Sequence, residues 1–404
     1  MEPVSRIEPL PWMKEPATKA VLAALSAEGA VVRFVGGSVR DALLGRASED
    51  IDIATPDPPE RVAALLAQAG IKMVPTGILH GTVTAVVPPR HFEITSLRRD
   101  VETFGRHATV AFTDNWREDA ARRDFTMNAL FLDSEGWIFD PVGGLEDLHA
   151  GRVRFVGDAA TRIEEDVLRL LRFYRFFAHY GRGEADQAAR AACRAHEDRL
   201  PKLSGERVRA ELFKLFSAPD PLPTLHLMAE DAVLQRVLPE AGNRERLAAL
   251  VALAPKRDPV LRLAALLAPL SAIQVSGLAE RLRLSNADAA RLAILAAPPW
   301  PIDLTAEDKV QRRAIYHLGG ARYRDLVLLH AAEAGDSSSV ERLLALSTHW
   351  HIPKFPLGGK DAVKLGIAPG PKMGRLLKEA ELWWETGDFQ AGRDACLARL
   401  KEIC

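Results

Sequence analysis

Sequence patterns typical of β-strands are confined to about the first 157 residues of this 404-residue chain. Short apolar or β-branched runs bounded by glycine, proline or charge predict strands. Such runs occupy residues 31–36, 51–55, 81–87 and 91–97. Helical patterns lie between them at 38–45 and 58–70, and the second begins with proline and ends with glycine. The predicted fold class is therefore α+β, with an N-terminal head that contains a small mixed β-sheet, followed by an all-α remainder.

The stretch EEDVLRLLRFYRFFAHY, residues 164–180, predicts one long helix that joins the head to this remainder. Further helical patterns rich in Ala, Leu and Arg continue almost to residue 404, separated by proline-containing breaks. We find no fixed-period repeat and no low-complexity tract among them. The remainder is expected to be a succession of separate helices.

Composition excludes several classes of protein. The chain is 48% hydrophobic and 26% charged, which is an ordinary globular balance. Three scattered cysteines, Cys193, Cys396 and Cys404, predict neither a disulfide framework nor a zinc site. The N-terminal residues have no apolar signal-peptide core, and no apolar run approaches the length of a membrane span. The sequence therefore predicts a cytoplasmic protein with no membrane segment, and it indicates no protein partner.

Charge is distributed unevenly although the whole chain has a net charge of only −1. Residues 1–160 contain 17 Lys and Arg against 23 Asp and Glu, a net charge of −6. The remaining residues contain 36 against 31, a net charge of +5. An acidic first part and a basic second part suggest a metal-binding half and a half that faces a polyanion. Surface charge that arose by chance is the alternative.

Two aspartates alternate with isoleucines in EDIDIAT, residues 49–55. Because residues i and i+2 of a strand lie on the same face, Asp50 and Asp52 are predicted to lie side by side. Glu93, in the middle of another predicted strand, could add a third carboxylate. Carboxylate oxygens suit Mg²⁺, and a pair of such ions can clamp the groups exchanged in nucleotidyl transfer. An isolated Asp-x-Asp, however, is more often a half-exposed strand.

A pair of glycines strengthens the catalytic interpretation. Gly36 and Gly37 end one predicted strand and begin a helix. Free backbone N–H groups at such a position can bind phosphate. Arg40 follows one turn later in that helix, where its side chain can reach the same phosphate groups. The combination of two glycines, an arginine and a nearby Asp-x-Asp indicates a site for a nucleoside triphosphate.

The stretch GGSVRDALLGRASEDIDI, residues 36–53, resembles the signature of the nucleotidyltransferase superfamily that includes DNA polymerase beta. More narrowly, it is similar to the class II family of bacterial tRNA nucleotidyltransferases, or CCA-adding enzymes, and poly(A) polymerases. The resemblance covers most of the chain, is specific over residues 34–176 and is loose between about 200 and 355. It implies catalytic roles for Asp50, Asp52 and Glu93, with Mg²⁺ bound by the two aspartates.

EDAARRDFTMNAL, residues 118–130, resembles the family's second motif. The resemblance implies that Arg123 contacts the nucleotide and that Asp119 and Arg122 lie near the sugar or hold the fold. Without the first motif, a charged cluster at the start of a helix would be the simpler interpretation. Residues 96–116 match the family's mobile loop, whose presence favours addition of a complete CCA.

Residues 164–176 resemble the family pattern Glu-Asp-x-x-Arg-x-x-Arg. A spacing of three predicts that Asp166, Arg169, Arg172 and Arg175 lie along one face of a helix. The residues alone are also compatible with a ladder of surface salt bridges. The resemblance implies instead that Asp166 and Arg169 act as a protein template for the incoming base. It implies that Arg172 and Arg175 contact ATP or CTP.

The resemblance also implies an arrangement of domains. Residues 1–157 would form the nucleotidyltransferase head, 158–220 a helical neck that recognises the base, and 221–404 a helical body and tail that bind tRNA. The predicted function is template-independent addition of CCA to the 3′ end of tRNA from CTP and ATP, with release of diphosphate. Alternatives are a poly(A) polymerase, a CC-only or A-only enzyme, and a non-catalytic RNA-binding protein. The C-terminal LARLKEIC lacks the long basic extension expected of a poly(A) polymerase.

Overall fold

A computed structural model of the chain describes residues 1–47, 50–78, 81–104, 107–254 and 256–404. They form two compact units, Met1–Pro239 and Glu240–Cys404, which are described separately. Among the described residues, no helix is both long enough and apolar enough to cross a membrane. In the same residues, the strands all lie before residue 140 and the later elements are helices, so the predicted α+β fold class is confirmed.

The first unit contains an eight-stranded mixed sheet with the order β1-β10-β9-β2-β3-β6-β5-β4. Neighbouring strands are antiparallel, except that β3 and β6 are parallel. A separate antiparallel pair, β7 and β8, lies within the predicted mobile loop, of which Gly105 and Arg106 lie outside the described residues. The strands are β1 (Ser5–Arg6), β2 (Arg33–Val35), β3 (Ile51–Thr55), β4 (Lys72–Gly77), β5 (Thr82–Val87), β6 (Arg90–Ser96), β7 (Arg98–Phe104), β8 (His107–Phe112), β9 (Phe131–Leu132) and β10 (Trp137–Phe139).

Helices of the head lie between and after these strands. Pro59 begins α4 and Gly70 follows it, as the sequence predicted for residues 58–70. Val62, Leu65 and Leu66 form the buried face of α4. The helices of the head are α1 (Pro11–Lys14), α2 (Pro16–Leu25), α3 (Gly37–Leu43), α4 (Pro59–Gln68), α5 (Trp116–Ala121) and α6 (Gly144–Ala150), and a 3₁₀ helix spans Thr126–Asn128.

The first unit continues into helices that pack around α8. Phe173, Tyr174 and Phe176 of α8 are buried. The helices are α7 (Ala159–Glu165), α8 (Leu168–Tyr180), α9 (Gln187–Ala195), α10 (Gly205–Phe216), α11 (Leu222–Glu230) and α12 (Val233–Val237), and a 3₁₀ helix spans Glu197–Lys202.

The second unit is built from helices, and its C-terminal part packs around Trp384, Leu376 and Leu400. The indole N–H of Trp384 donates to the carbonyl oxygen of Ala391 over 2.9 Å, so this buried polar group is satisfied. The helices are α13 (Arg244–Leu253), α14 (Pro259–Leu266), α15 (Ala272–Arg281), α16 (Asn286–Ala296), α17 (Asp308–Leu318), α18 (Gly320–Ala334), α19 (Val340–His349), α20 (Gly359–Lys364), α21 (Pro371–Thr386) and α22 (Arg393–Glu402).

Candidate active site

The candidate catalytic carboxylates meet where β3 and β6 run in parallel. In that ladder Asp52 lies opposite Glu93, with Ile51 opposite Phe92 on one side and Ile53 opposite Ile94 on the other. The four apolar side chains are buried, so the alternation of a strand directs Asp52 and Glu93 to the opposite face. Asp50 immediately precedes β3 and is exposed. The structure therefore brings the three sequence-predicted carboxylates together in the middle of the sheet, around the start of β3.

Burial and the neighbouring carboxylates raise the pKa of Asp52. Burial is the largest cause, followed by the negative charge of Glu93, and the charge of Asp50 acts in the same direction. The positive charges of Arg123 and Arg40 lower the pKa, but the net result is a value of about 6 instead of the ordinary 3.8. A carboxylate is held in its charged form by a nearby cation. The positive charges that the protein places around Asp52 do not offset burial and like charge, so its charged form is less stable than that of a free aspartate.

The donor chemistry of this cluster fits a hard divalent cation. Carboxylate oxygens are the ligands that Mg²⁺ prefers, and Mg²⁺ is often bound by one or two carboxylates together with substrate phosphates. Within the described part of the chain, no group of three or more His, Cys, Asp and Glu side chains is arranged to hold a metal ion. Two aspartates that share a metal ion with a triphosphate fit both observations.

A tight turn lies directly beside Asp52. Gly36 has a φ of 72°, a left-handed conformation that favours glycine, and it immediately precedes α3. A Cβ atom at this position would lie 3.4 Å from Asp52 Oδ2 and 3.7 Å from Arg123 Nη1. Gly37 begins α3, and a Cβ there would lie 3.6 Å from Arg40 Nη2. The glycine turn, Asp52 and Arg40 of the first motif are thus close neighbours, and Arg123 of the second motif lies beside them.

The two arginines near the turn, Arg40 and Arg123, have different surroundings. Arg40 is only 7% exposed. It donates to Asp41 and Asn128 and lies under the ring of Tyr180 in α8. Arg123 keeps a partly exposed side chain and forms an ion pair with Asp119. Contact with the triphosphate stays a prediction for both residues.

Asp119 organises the second motif from a buried position. Its Oδ1 accepts hydrogen bonds from Arg122 Nε and Nη2, and its Oδ2 accepts from Arg123 Nε and Nη2, over 2.6 to 3.1 Å. Burial alone would raise the pKa of Asp119, but the charges of Arg123 and Arg122 lower it overall. Of the two predicted roles for Asp119, burial favours holding the arginines in place.

The prediction of one unbroken helix over residues 164–180 is wrong. Helix α7 ends at Glu165, Asp166 has extended dihedral angles of −152° and 107°, and α8 begins at Leu168. Asp166 Oδ1 accepts a hydrogen bond from the backbone N–H of Leu168 over 3.1 Å. A side chain that satisfies a free N–H at a helix start competes with continuation of the preceding helix. Asp166 therefore lies at the break, and the predicted helical face begins only at Arg169.

Each of the four residues that the motif assigns to base or nucleotide contact forms an ion pair, and among the four partners only Glu165 belongs to the motif itself. Asp166 pairs with Arg207 over 2.6 Å, and Arg175 pairs with Glu211 over 2.6 Å. Arg169 pairs with Glu165. Arg172 pairs with Asp124, whose carboxylate follows the arginines of the second motif. All four side chains are partly buried, and their ion pairs join separate segments of the chain, unlike a ladder along the surface of one helix.

Sequence analysis did not identify the ion-pair partners of these four residues, although Glu165 is part of the motif. They come from the head (Asp124), from the end of α7 (Glu165) and from α10 (Arg207 and Glu211). One signal was available: buried arginines at a spacing of three need carboxylates from other elements. Spacing along one helix cannot say which element supplies them.

An open cavity of about 680 Å³ lies beside Asp50. Its walls include Asp50, Arg90 and His91, and Glu15 forms a two-hydrogen-bond ion pair with Arg90 over 2.8 and 2.9 Å. This cavity leaves space for a ligand next to Asp50. Sequence analysis gave no indication of Glu15 or Arg90.

Comparisons with known proteins agree with this geometry. The model of the "Poly A polymerase head domain" matches residues 32–154, and that of the "Probable RNA and SrmB- binding site of polymerase A" matches residues 185–243. The CCA tRNA nucleotidyltransferase 1, mitochondrial, of Danio rerio is 34% identical over 385 residues, which cover 92% of this chain and 87% of the relative. The CCA-adding enzyme of Streptococcus gordonii is 33% identical over 410 residues, which cover 98% of this chain and 99% of the relative.

The crystal structure of the Bacillus stearothermophilus CCA-adding enzyme in complex with CTP has the same fold. It superposes with a TM-score of 0.79 at 28% sequence identity and covers 96% of this chain and 98% of that chain. Two near-full-length relatives and one near-full-length structure thus agree with the motifs of the head. The chain belongs to the CCA-adding enzyme and poly(A) polymerase family of nucleotidyltransferases.

Proposed function

We propose that this chain adds cytidine, cytidine and adenosine in turn to the 3′ end of tRNA, using CTP and ATP and releasing diphosphate. The observation that carries the proposal is the Asp52–Glu93 pair beside the Gly36 turn. Relatives named for the same reaction are similar over nearly their whole length. No side-chain nucleophile is needed, because the 3′-hydroxyl of the RNA attacks the α-phosphorus directly.

Dependence on a divalent metal is general in this nucleotidyltransferase family. We propose Mg²⁺ as the ion, held by Asp50 and Asp52, with Glu93 beside them. When bound, Mg²⁺ would supply charge neutralisation at the phosphates and lower the pKa of the attacking hydroxyl. The raised pKa of Asp52 supports this assignment, since burial and like charge leave its carboxylate in need of a cation.

The residues of the turn would bind the triphosphate. The backbone N–H groups of Gly36 and Gly37 lie at the start of α3, where N–H groups can donate hydrogen bonds to phosphate. Arg123 would contact the nucleotide from its position beside Gly36. Asp119 would orient Arg122 and Arg123, since its carboxylate accepts hydrogen bonds from both side chains.

Asp166 and Arg169 would select the base. Cytosine and adenine both present an amino donor beside a ring-nitrogen acceptor, which a carboxylate and a guanidinium complement. Uracil and guanine present the reverse order and would leave buried charges unpaired, which can reject an analogue by roughly 10⁴-fold. Asp166 already accepts from Arg207 and from Leu168 N–H. A carboxylate has about four acceptor sites, so Asp166 can also accept from a base.

We also propose the division into a head at 1–157, a neck at 158–220 and a body and tail at 221–404. The net charge of +5 after residue 160 supports an RNA-binding role for the later part. Arg172 and Arg175 would belong to the neck, near the nucleotide. A cytoplasmic location stays a prediction, because the relatives include both bacterial and mitochondrial proteins.

One experiment tests the function and separates its alternatives. The protein is incubated with tRNA that ends at the discriminator base, with each of the four NTPs singly and together, and the 3′ ends are sequenced. We expect CC with CTP alone and CCA with CTP and ATP. Long adenosine runs would indicate a poly(A) polymerase. Termination at CC would indicate a CC-only enzyme, and addition of A only to tRNA that already ends in CC would indicate an A-only enzyme. The absence of any addition would favour a non-catalytic RNA-binding protein.

A further inference from the structure

Six side chains form a continuous hydrogen-bonded chain between α8 and the head, and because α8 itself joins the two ends of this chain we call it the joint ring. Two of them come from α8, two from α3, and two from the segment that follows α5. Both ends of this hydrogen-bonded chain lie on α8, so the chain leaves the helix, passes through the head and returns to the helix. In order around the ring, the residues are Arg172, Asp124, Asn128, Arg40, Asp41 and Tyr180.

One half of the ring runs through Asn128. Arg172 Nε donates to Asp124 Oδ2 over 2.7 Å, and Asn128 Nδ2 donates to Asp124 Oδ1 over 3.0 Å. Asn128 Oδ1 in turn accepts from Arg40 Nη1 over 2.7 Å. Arg40 and Asn128 are each 7% exposed, so these hydrogen bonds are shielded from water. A single amide therefore links the arginine beside the glycine turn to an arginine of α8.

The other half of the ring runs through Tyr180. Arg40 Nε and Nη2 donate to the two oxygens of Asp41 over 3.1 and 2.9 Å. The hydroxyl of Tyr180 donates to Asp41 Oδ1 over 2.9 Å. The ring of Tyr180 also covers Arg40, with the guanidinium carbon 4.2 Å from the ring centre, a favourable cation–π contact.

The two anchors of α8 hold the helix at separated points. Arg172 and Tyr180 are eight residues apart, which is roughly 12 Å along a helix at 1.5 Å per residue. Two anchors at this separation restrain both the rotation of α8 and its position along its own axis. Arg169, which would contact the base, lies one turn before Arg172 on the same helix. The joint ring therefore sets the distance between Arg169 and the glycine turn.

Asn128 has a role in the ring that other side chains of its size cannot fill. It must accept from Arg40 and donate to Asp124 at the same time. An amide can do both, whereas a carboxylate would accept from Arg40 but repel Asp124. A hydrocarbon would leave both partners with an unmade hydrogen bond.

We propose that Asn128 and Tyr180 are positioning residues that set base selection by holding α8 in register with the nucleotide-binding head. This rests on the proposed function, because it concerns the choice of C and A over U and G at that same site. Neither residue contacts the base. They act through Arg40 and Arg172, so their loss should alter discrimination between nucleotides and leave tRNA binding unchanged.

The test uses the full chain with Asn128→Asp, Asn128→Ala and Tyr180→Phe. Single-turnover incorporation of each NTP into tRNA lacking CCA gives the ratio of the rates for CTP and UTP. We expect this ratio to fall about tenfold in both Asn128 variants and about threefold in Tyr180→Phe, because displacements near 1 Å can cost roughly 100-fold in rate. The KM for tRNA should stay within about twofold of the wild-type value.

Asn128→Asp separates positioning from simple loss of packing, since it keeps the size of the side chain and the acceptor for Arg40. Tyr180→Phe keeps the ring over Arg40 and removes only the hydroxyl, so it remains folded if the Asn128 variants do not. The control is Tyr323→Phe, which removes a buried hydroxyl that donates to Gln311 in the other unit. It should alter the thermal melt without altering the C-over-U ratio.

A C-over-U ratio equal to wild type in every folded variant would overturn the positioning role, whatever the variants do to the thermal melt. Failure of the proposed function has a different signature. In that case the wild-type protein itself would show no preference for CTP and ATP, or no incorporation at all.

Discussion

Two aspartates of the first unit, Asp52 and Asp124, have opposite electrostatic environments. Burial by itself would raise the pKa of both carboxyl groups. At Asp52 the nearby charges of Glu93 and Asp50 add to this effect, and the pKa is about 6. At Asp124 the charge of Arg172 and hydrogen bonds from Asn128 and Arg172 outweigh burial, and the pKa is lowered.

The difference separates the candidate active site around Asp52 from the scaffold, by which we mean the structural ion pairs around α8. Around Asp52, carboxylates are concentrated beyond what nearby arginines neutralise, and a metal ion bound with the substrate would restore the balance. Around α8, each arginine of the motif faces a carboxylate from another element, so the protein neutralises its own charges. Removing charge should therefore have opposite consequences for stability in the two regions.

Asp52→Asn should have the largest effect. We expect nucleotide incorporation to fall by at least about 1,000-fold, because a carboxylate that is proposed to bind the metal ion is lost. Above pH 6 the wild-type folded state contains a carboxylate that burial and repulsion disfavour, so the variant should unfold at an equal or higher temperature in metal-free buffer. Single-turnover incorporation and a thermal melt at pH 7.5 measure the two results.

The control for Asp52→Asn is Asp198→Asn, which changes an exposed aspartate of the same unit and should leave both measurements unchanged. A large loss of stability in Asp52→Asn would contradict the distinction between site and scaffold. Near-normal incorporation by contaminant-free protein would exclude Asp52 as a metal ligand.

Asp166→Ala and Arg169→Ala should have the second-largest effect. Each removes one of the two groups proposed to complement C and A, together with the penalty that U and G incur. We expect the C-over-U ratio in single-turnover incorporation to fall about 100-fold, more than in the joint-ring variants. Arg236→Ala, which breaks an exposed ion pair with Glu197, is the control. If both variants slow all four NTPs in equal proportion, neither residue contacts the base.

Asp124→Asn should lower the free energy of unfolding by about 2 kcal/mol, since it removes a charge-assisted hydrogen bond and leaves Arg172 without its counter-charge. Urea unfolding of the full chain measures this loss. Arg172→Met and the double variant complete a double-mutant cycle, which isolates the energy of the pair. A cycle that shows no coupling between the two residues would mean that α8 is held to the head by other contacts.

The contribution of His179 in α8 to the pH dependence of stability should be the smallest of the predicted effects. Its pKa is lowered by burial first and by the charges of Arg175 and Arg46, while its Nε2–H donates to the carbonyl oxygen of Lys214 over 2.7 Å. As the pH falls below 6.5, the unfolded chain gains a proton before the folded chain does, so stability is lost. His179→Gln should lose less stability than wild type between pH 7.5 and 5.5. Equal losses in urea unfolding would show that this imidazole is not buried in its neutral form.

Much of the site could be predicted from local pattern. The strand carrying Asp52 and the strand carrying Glu93 were predicted because both are short runs of apolar or β-branched residues with clear boundaries. The turn at Gly36 was predicted because two glycines separate a strand from a helix. Their adjacency could not be derived this way, since it depends on β6 pairing in parallel with β3 across an intervening helix and two strands.

The neck shows where pattern reasoning fails. A spacing of three correctly placed Arg169, Arg172 and Arg175 in one helix, α8. It wrongly included Asp166, because the helical period contains no information about a side chain that caps the next helix. It also left open the partners of the arginines, which lie between 4 and 48 residues away along the chain.

The sequence by itself determined the fold class, the identity of the carboxylates and the family, because strand alternation, helical period and motif spacing are local properties of the chain. Only the tertiary structure decided how each charge is balanced. The pKa of a carboxylate depends on burial and on charges within a few ångströms, and folding brings those from distant segments. Thus two aspartates that look alike in the sequence become, in the folded protein, a metal-binding candidate and a structural ion pair.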